Sequence, residues 1–344
     1  MKILLLQLKR IGDLILTTPA IRCLREAFPE SRLAVVVDSS CAGLLSCLDA
    51  DERWIYHKGG GAKGLAGWGE NAWLRHGLLP FRPDWVLDFT GTDRSAYLSA
   101  LARSRRRVTF QRFQKKPLRG RIYTDFVKSS VVDRHTADHY TDLLAPLGIE
   151  RANVPLDLQL SEKTSATARA LLANARVPDS YVVVHAGTAR SEKYWLAERW
   201  AKVIEFLRAE YGLVSVLTGS RDPRERDHLA EIKSHLRCDC IDLSGTTDLA
   251  GLAALIKRAT LFCGVDTAAM HLADAVRTPC LALFGPTNPY HWRPRHTRSV
   301  ILRARTQQPF APRQEGGPMR DITVASVIDA VRELFAGPRP TSDA

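Results

Sequence analysis

Four stretches of this chain carry residue types able to do chemistry, and the first lies near its amino end. An apolar run, residues 2–8, leads into RIGDLILTTPA, residues 10–20, where Asp13 stands between Gly12 and Leu14-Ile15-Leu16. A carboxylate in such surroundings is either a helix cap or a working group that exchanges protons. Thr18-Pro19 offers a helix start of its own, with Thr as cap and Pro at the first position. Asp13 is therefore not needed to cap that later segment, although a kinked helix beginning at Gly12 is the alternative.

The richest stretch is TLFCGVDTAAMHLADAVRTPCLALFGPTNPYHWRP, residues 260–294. A β-rich run ends at Gly264, Asp266 and Thr267 open a helix, and His271 follows four residues after Thr267 on the same face. Asp266 reads as an N-cap. Equally, Gly264 allows close backbone approach, and the amides of Thr267 and Ala268 would point at an anion. A second glycine turn, Gly285-Pro286-Thr287-Asn288, ends the next run. Two such turns over one helix start describe a diphosphate pocket, with ordinary turns between strand and helix as the alternative. In HAGTARSEKYW, residues 185–195, Thr188 and its small neighbours precede Arg190 and Lys193. Those cations suit phosphate, or a charged surface turn. In LTGSRDPRERD, residues 217–227, Asp222 and Glu225 suit a ribose diol, or merely start the next helix.

Charge is the remaining clue. The net charge is +12, and RSRRRVTFQRFQKKPLRGR, residues 103–121, holds nine Lys or Arg and no acid. A polyanionic partner is implied, with a solvated loop as the alternative. Other signals fail on spacing. GGGAKG, residues 59–64, is no P-loop, because no Ser or Thr follows Lys63 and the Gly before it is misplaced; a flexible loop is expected there. Asp49 and Asp51 lack further ligands, and Cys238 and Cys240 lack a second Cys or His pair at zinc spacing. Seven scattered cysteines are expected to be reduced and structural. No nucleophile elbow is present.

The elements that must hold these residues follow from periodicity. Near-continuous apolar runs at 2–8, 32–37, 85–89, 107–110, 181–185, 213–218, 260–264 and 280–284 predict parallel strands buried on both faces. Helical patterns alternate with them, at 19–28, 136–147, 163–174, 197–210, 224–236, 248–257, 267–275 and 323–335. That alternation predicts an α/β protein with two doubly wound, Rossmann-like sheets. The 344 residues exceed a single core. The expected organisation is a first domain over 1–155 and a second over 156–322. A helix over 323–336 is expected to pack back on the first, with a disordered tail over 337–344. No apolar run reaches the roughly 20 residues of a membrane helix, and residues 3–6 are too short for a signal core, so a cytoplasmic protein is expected.

Taken together, IGDLILTTPAIRCLREAFP, HAGTARSEKYW, LTGS…RERD and the 260–294 stretch resemble the ADP-heptose:lipopolysaccharide heptosyltransferases, glycosyltransferase family 9. The likeness runs in matching order from Lys2 to about Phe335. It implies a GT-B fold, with two Rossmann-like domains facing a central cleft and the donor held mainly by the second. It also implies an inverting reaction that needs no metal or other cofactor, and work at the cytoplasmic face of the inner membrane. By position, Asp13 matches the general base. Thr188, Lys193, Glu225 (or Asp222), Gly264, Asp266, Thr267, Ala268 and His271 match the donor-binding residues. Trp292-Arg293-Pro294 is most similar to the member that adds the third, branching heptose. Acceptor contacts fall in the divergent first half. There Arg105, Arg106, Arg112, Lys115, Lys116, Arg119 and Arg121 are the candidates for gripping phosphates of the lipopolysaccharide inner core. His135 and His139 line the same side or are plain surface histidines.

Three other readings of the residues stand beside this one. They are a GT-B transferase or epimerase using another nucleotide sugar, a silent nucleotide-sugar-binding protein, and a basic nucleic-acid-binding protein. The last lacks any helix-turn-helix, zinc-finger or RNP-type signature, so no nucleic-acid partner is expected.

Overall fold

Apolar residues on both sides of a pleat suit a strand covered on both faces, and KILLLQ, residues 2–7, meets that condition. In a computed structural model this stretch forms an inner strand, β1 (Lys2–Gln7), of a six-stranded parallel sheet. The structure describes residues 1–58, 72–305 and 308–336. The GGGAKG stretch and the tail at 337–344 lie outside the described residues.

The chain divides into two compact units, Met1–Gln159 and Leu160–Ala344. In the first, β1 is joined by β2 (Arg32–Asp38), β3 (Glu52–Tyr56), β4 (Trp85–Asp88), β5 (Arg106–Phe110) and β6 (Asp125–Val127), in the order β3-β2-β1-β4-β5-β6. Leu4 pairs with Ala34 on one side and Val86 on the other. Their side chains meet Leu98 and Ala102 in one buried cluster. Full burial of each such aliphatic side chain contributes about 1.5–3 kcal/mol. The second unit repeats the plan with β7 (Tyr181–His185), β8 (Val214–Leu217), β9 (Cys240–Asp242), β10 (Leu261–Val265), β11 (Cys280–Phe284) and β12 (Ser299–Arg303), in the order β12-β11-β10-β7-β8-β9. Each sheet therefore reverses its strand order once, between β1 and β4 and between β7 and β10. Ligands of open α/β sheets bind outside the carboxyl ends at such a point.

The four strands at the sheet margins, β3, β6, β9 and β12, are the ones that the sequence patterns did not predict. An edge strand has one neighbour and less cover, so ERWIY, DFV, CID and SVILR carry short or broken apolar runs.

The first unit extends four residues past the expected 155, and hydrogen bonding explains it. Asp157 N–H donates to Thr18 Oγ1 (3.1 Å) and Gln159 N–H to the Cys47 carbonyl (2.9 Å), tying the extended segment to that unit. Val327, Ala330, Val331 and Leu334 of the last helix, Val324–Ala336, are buried in the core of the second unit with Trp195, Trp200 and Leu207. Its apolar stripe is thus covered within its own unit. No helix of the described residues is long and apolar enough to cross a membrane.

Candidate active site

At the carboxyl end of β1 the chain enters two short helices, α1 (Ile11–Ile15) and α2 (Thr18–Ala27). Pro19 explains the break. Lacking an N–H, it cannot bond the carbonyl four residues back, and the Ile15 carbonyl instead accepts from Thr18 Oγ1 at 2.7 Å. The cap differs from the expected one: Thr17 is the capping residue, without a side-chain cap bond, and Thr18 is the first helical residue. Asp13 lies in the first turn of α1 and is half-buried. Thr17 Oγ1 donates to the Asp13 carbonyl at 2.8 Å and Gln7 Nε2 donates to Thr17 Oγ1 at 2.7 Å, which pins the turn.

Asp13 is not isolated. Tyr140, from the helix Thr136–Asp142, donates its hydroxyl to Asp13 Oδ1. Lys9 Nζ donates to the same hydroxyl at 3.1 Å. Burial lowers the pKa of Lys9, and the Asp13 charge opposes that. Nothing in the sequence pattern marks Lys9 or Tyr140 as partners of Asp13, because 127 residues separate Tyr140 from it.

The basic stretch divides into two sets. Arg106 grips Asp125 through two nitrogens (2.9 and 2.6 Å) across β5 and β6, and Arg119 binds Asp93 at 2.7 Å. Both are candidates for gripping acceptor phosphates, and each has a carboxylate partner in the structure. Arg112 stacks over Phe110 and Phe113 (5.6 and 4.7 Å) and lies in the electrostatic field of Asp13. Arg112 and Lys115 line a cavity of about 870 Å³ with Lys128, Asp133, Arg134 and Asp142, the last two paired with each other at 3.2 Å. Arg105, Lys116 and Arg121 are exposed.

Of the two alternatives for the histidines, the surface one is overturned, because both are buried. His135 is 6% exposed and its Nδ1 caps the Thr136–Asp142 helix by accepting from Ala137 N–H. His139 is fully buried, stacked on Phe110 at 3.9 Å with Ser129 Oγ 2.8 Å from Nδ1. Burial, then the nearby cations, lowers its pKa to about 3.

In the second unit the reversal between β7 and β10 gathers most of the donor-binding candidates. Gly264 pairs with His185, and a Cβ on Gly264 would stand 2.7 Å from the Phe262 ring and 3.0 Å from the His185 carbonyl. Packing between strands thus demands glycine there. Asp266 is not the helix cap. Thr267 is, its Oγ1 accepting from Ala269 N–H at 3.1 Å. Asp266 Oδ2 instead holds Lys193 Nζ at 2.6 Å. Thr267 and Ala268 are half-buried at the helix start, whereas His271 is buried one turn in, beside Asp274. Arg190 is paired with Glu192 on the surface.

The two acids after β8 have different jobs. Asp222 is exposed and caps the helix Pro223–His235, accepting from Arg224 N–H at 2.9 Å. Glu225 is buried, and its Oε2 accepts from Ser220 N–H at 2.7 Å. The glycine loop after β7 lies against it: a Cβ on Gly187 would stand 2.8 Å from Glu225 Cγ. Thr188 follows in that loop, and Tyr194 stacks on His228 at 4.6 Å. Beneath them His185 Nδ1 is 2.9 Å from Thr218 Oγ1, and burial lowers its pKa to about 4.

A Cβ on Gly285 would stand 2.6 Å from Met319 Sδ, and Gly316 lies against the Gly285 carbonyl. The 316–319 segment packs against Gly285, while Pro286 is exposed and Thr287 and Asn288 are half-buried. Among the described residues, no group of three or more His, Cys, Asp or Glu is arranged to hold a metal ion.

Comparison with known proteins gives these sites a context. The family model of glycosyltransferase family 9 (heptosyltransferase) matches residues 73–320. The chain is 26% identical to lipopolysaccharide heptosyltransferase 3 of Escherichia coli, covering 96% of this chain and 97% of that protein. It is 28% identical to lipopolysaccharide heptosyltransferase 1 of Pseudomonas aeruginosa over 84% and 80%. The fold is that of a family 9 glycosyltransferase from Veillonella parvula (TM-score 0.83, 23% identity, 98% and 97% covered). It is equally that of E. coli heptosyltransferase WaaC solved with ADP (TM-score 0.77, 22% identity, 97% and 100% covered). The two Rossmann-like units are those of the GT-B fold.

Proposed function

The chain belongs to glycosyltransferase family 9 (heptosyltransferase), and from that premise we propose that it moves a heptose from ADP-heptose to the inner core of lipopolysaccharide, with inversion and without a metal. The observation that carries the donor half is the Lys193–Asp266 pair beside the Thr267-capped helix start, where strand order reverses. An ammonium fixed at that point, with helix-terminal amides alongside, suits a diphosphate. Glu225, buried beside the Gly187 loop, suits the ribose hydroxyls of the adenosine.

The chemistry follows from charge. Asp13 accepts the proton of the acceptor hydroxyl, a step worth roughly 10²–10⁴-fold. The acceptor oxygen forms its bond to the anomeric carbon as the bond from that carbon to the diphosphate oxygen breaks. The electron pair leaves with ADP. Attack opposite the leaving group inverts the centre, and Lys193 with the Thr267 and Ala268 amides takes up the charge that develops on ADP. The acceptor is anionic, which suits Arg112 and Lys115 on the wall of the 870 Å³ cavity; Arg105, Lys116 and Arg121 are further exposed cations of the same stretch. The reading places the protein at the cytoplasmic face of the inner membrane and gives nucleic acid no role.

Relatives named heptosyltransferase 3 and the Trp292-Arg293-Pro294 segment favour the third, branching heptose as the one added. The test is incubation with ADP-heptose and a series of core acceptors truncated after each heptose, followed by mass spectrometry. A gain of one heptose on the acceptor that lacks only the branch supports the reading. No gain on any acceptor overturns it.

A further inference from the structure

We propose that Tyr140 is the positioning residue for the proton-accepting carboxylate: its hydroxyl, held by Lys9, donates to Asp13 Oδ1 and leaves Oδ2 to take the acceptor proton. This rests on the reading of Asp13 as the base. Hydrogen-bond inventory fixes the direction of the chain. An ammonium has donors only, so the phenol accepts from Lys9 Nζ at 3.1 Å and its single proton goes to Asp13. The phenol itself cannot swing. Tyr140 is 1% exposed, with its ring edge-on to Phe89 at 5.8 Å and under the Lys9 ammonium at 5.0 Å.

The other end of Asp13 is fixed too, since its carbonyl accepts from Thr17 Oγ1 at 2.8 Å. A carboxylate clamped at its backbone and at one oxygen presents the second oxygen in one orientation, which is what proton transfer to a positioned hydroxyl needs. Four titratable or charged groups face Asp13 from the surrounding elements. Lys9 follows β1, Arg112 follows β5, Tyr140 comes from its helix, and Cys41 lies after β2. Burial pushes the Cys41 thiol up to about 11 and raises the Tyr140 phenol further, so both are neutral at working pH. Lys9 also feels Asp88.

A tyrosine kept only for packing would be replaced by phenylalanine at little cost to the pH dependence. The test therefore compares the full-length protein with Y140F and D13N, measuring kcat/KM against pH with ADP-heptose and a core acceptor, ADP binding, and Tm. Y140F should move the acid limb of kcat/KM up, because the hydroxyl that donates to Asp13 Oδ1 is gone. It should also lower kcat about tenfold or more with ADP affinity unchanged. Should Y140F not fold, 3-fluorotyrosine at position 140, a stronger donor, should move the limb down. An acid limb unmoved by these replacements, in a protein whose D13N variant is inactive, overturns the positioning role alone. Transfer persisting in D13N overturns the base reading and this proposal with it.

Discussion

Lys193 Nζ lies 2.6 Å from Asp266 Oδ2, joining the loop after β7 to the residue after β10. The side chains are only 12% and 9% exposed. A carboxylate in that place would repel a diphosphate if it faced one directly. On the proposed reading, Asp266 acts on an anion through the lysine that it holds.

The pair should therefore behave as a unit. K193M leaves a nearly buried carboxylate without its cation and should cost about 3 kcal/mol, the lower end for a buried pair. K193M/D266N should recover much of that in urea titrations. ADP affinity, read by calorimetry, should stay weak in both variants, because the phosphate-binding charge is absent from each. Additive stability losses would show that the pair is not coupled.

D13N keeps the size of the side chain and its bond to Tyr140 while removing the base. Transfer should fall by about 10²–10⁴-fold, and ADP affinity should be intact because the donor contacts lie in the other unit. Loss of nucleotide binding in step with activity would count against the assignment.

His139 and His185 set an acid limit on stability. Each titrates near 6.5 when unfolded, but burial lowers His139 to about 3 and His185 to about 4 in the fold. Between those values the unfolded chain binds the extra protons, so stability falls as pH drops from about 6.5. H139Q should flatten Tm against pH between pH 6 and pH 4, by nearly one proton or about 1.4 kcal/mol per pH unit. A slope equal to the parent's would remove His139 from the account.

The basic stretch should divide by function as it does by contacts. Arg106 is tied to Asp125 in an exposed pair. R106A should leave Tm nearly unchanged and leave the acceptor KM unchanged. R112A or K115A, on the cavity wall, should raise the acceptor KM severalfold and leave the donor KM alone. Equal effects from all three would mean that only net charge matters.

Much of the architecture was legible because buried parallel strands leave continuous apolar runs, and eight of the twelve strands did so. The four at the margins, half-covered and short, carry no such run. Residue types at β-strand ends marked Asp13, Lys193, Glu225 and Thr267, since turns with small residues and charges are local features. What a local pattern cannot carry is which charge is already taken. Arg106 and Arg112 are alike in sequence, yet one is bound to Asp125 and the other stacks on two rings near Asp13. Asp222 and Glu225 stand three residues apart, yet one caps a helix and the other is buried beside the Gly187 loop.

By itself, then, the sequence determined the fold class and the loops that carry the candidate site, through hydrophobic period and turn chemistry. Tertiary structure alone decided the partners, Asp266 for Lys193 and Tyr140 with Lys9 for Asp13. Those contacts depend on strand order and packing between segments dozens of residues apart, and no spacing along the chain encodes them.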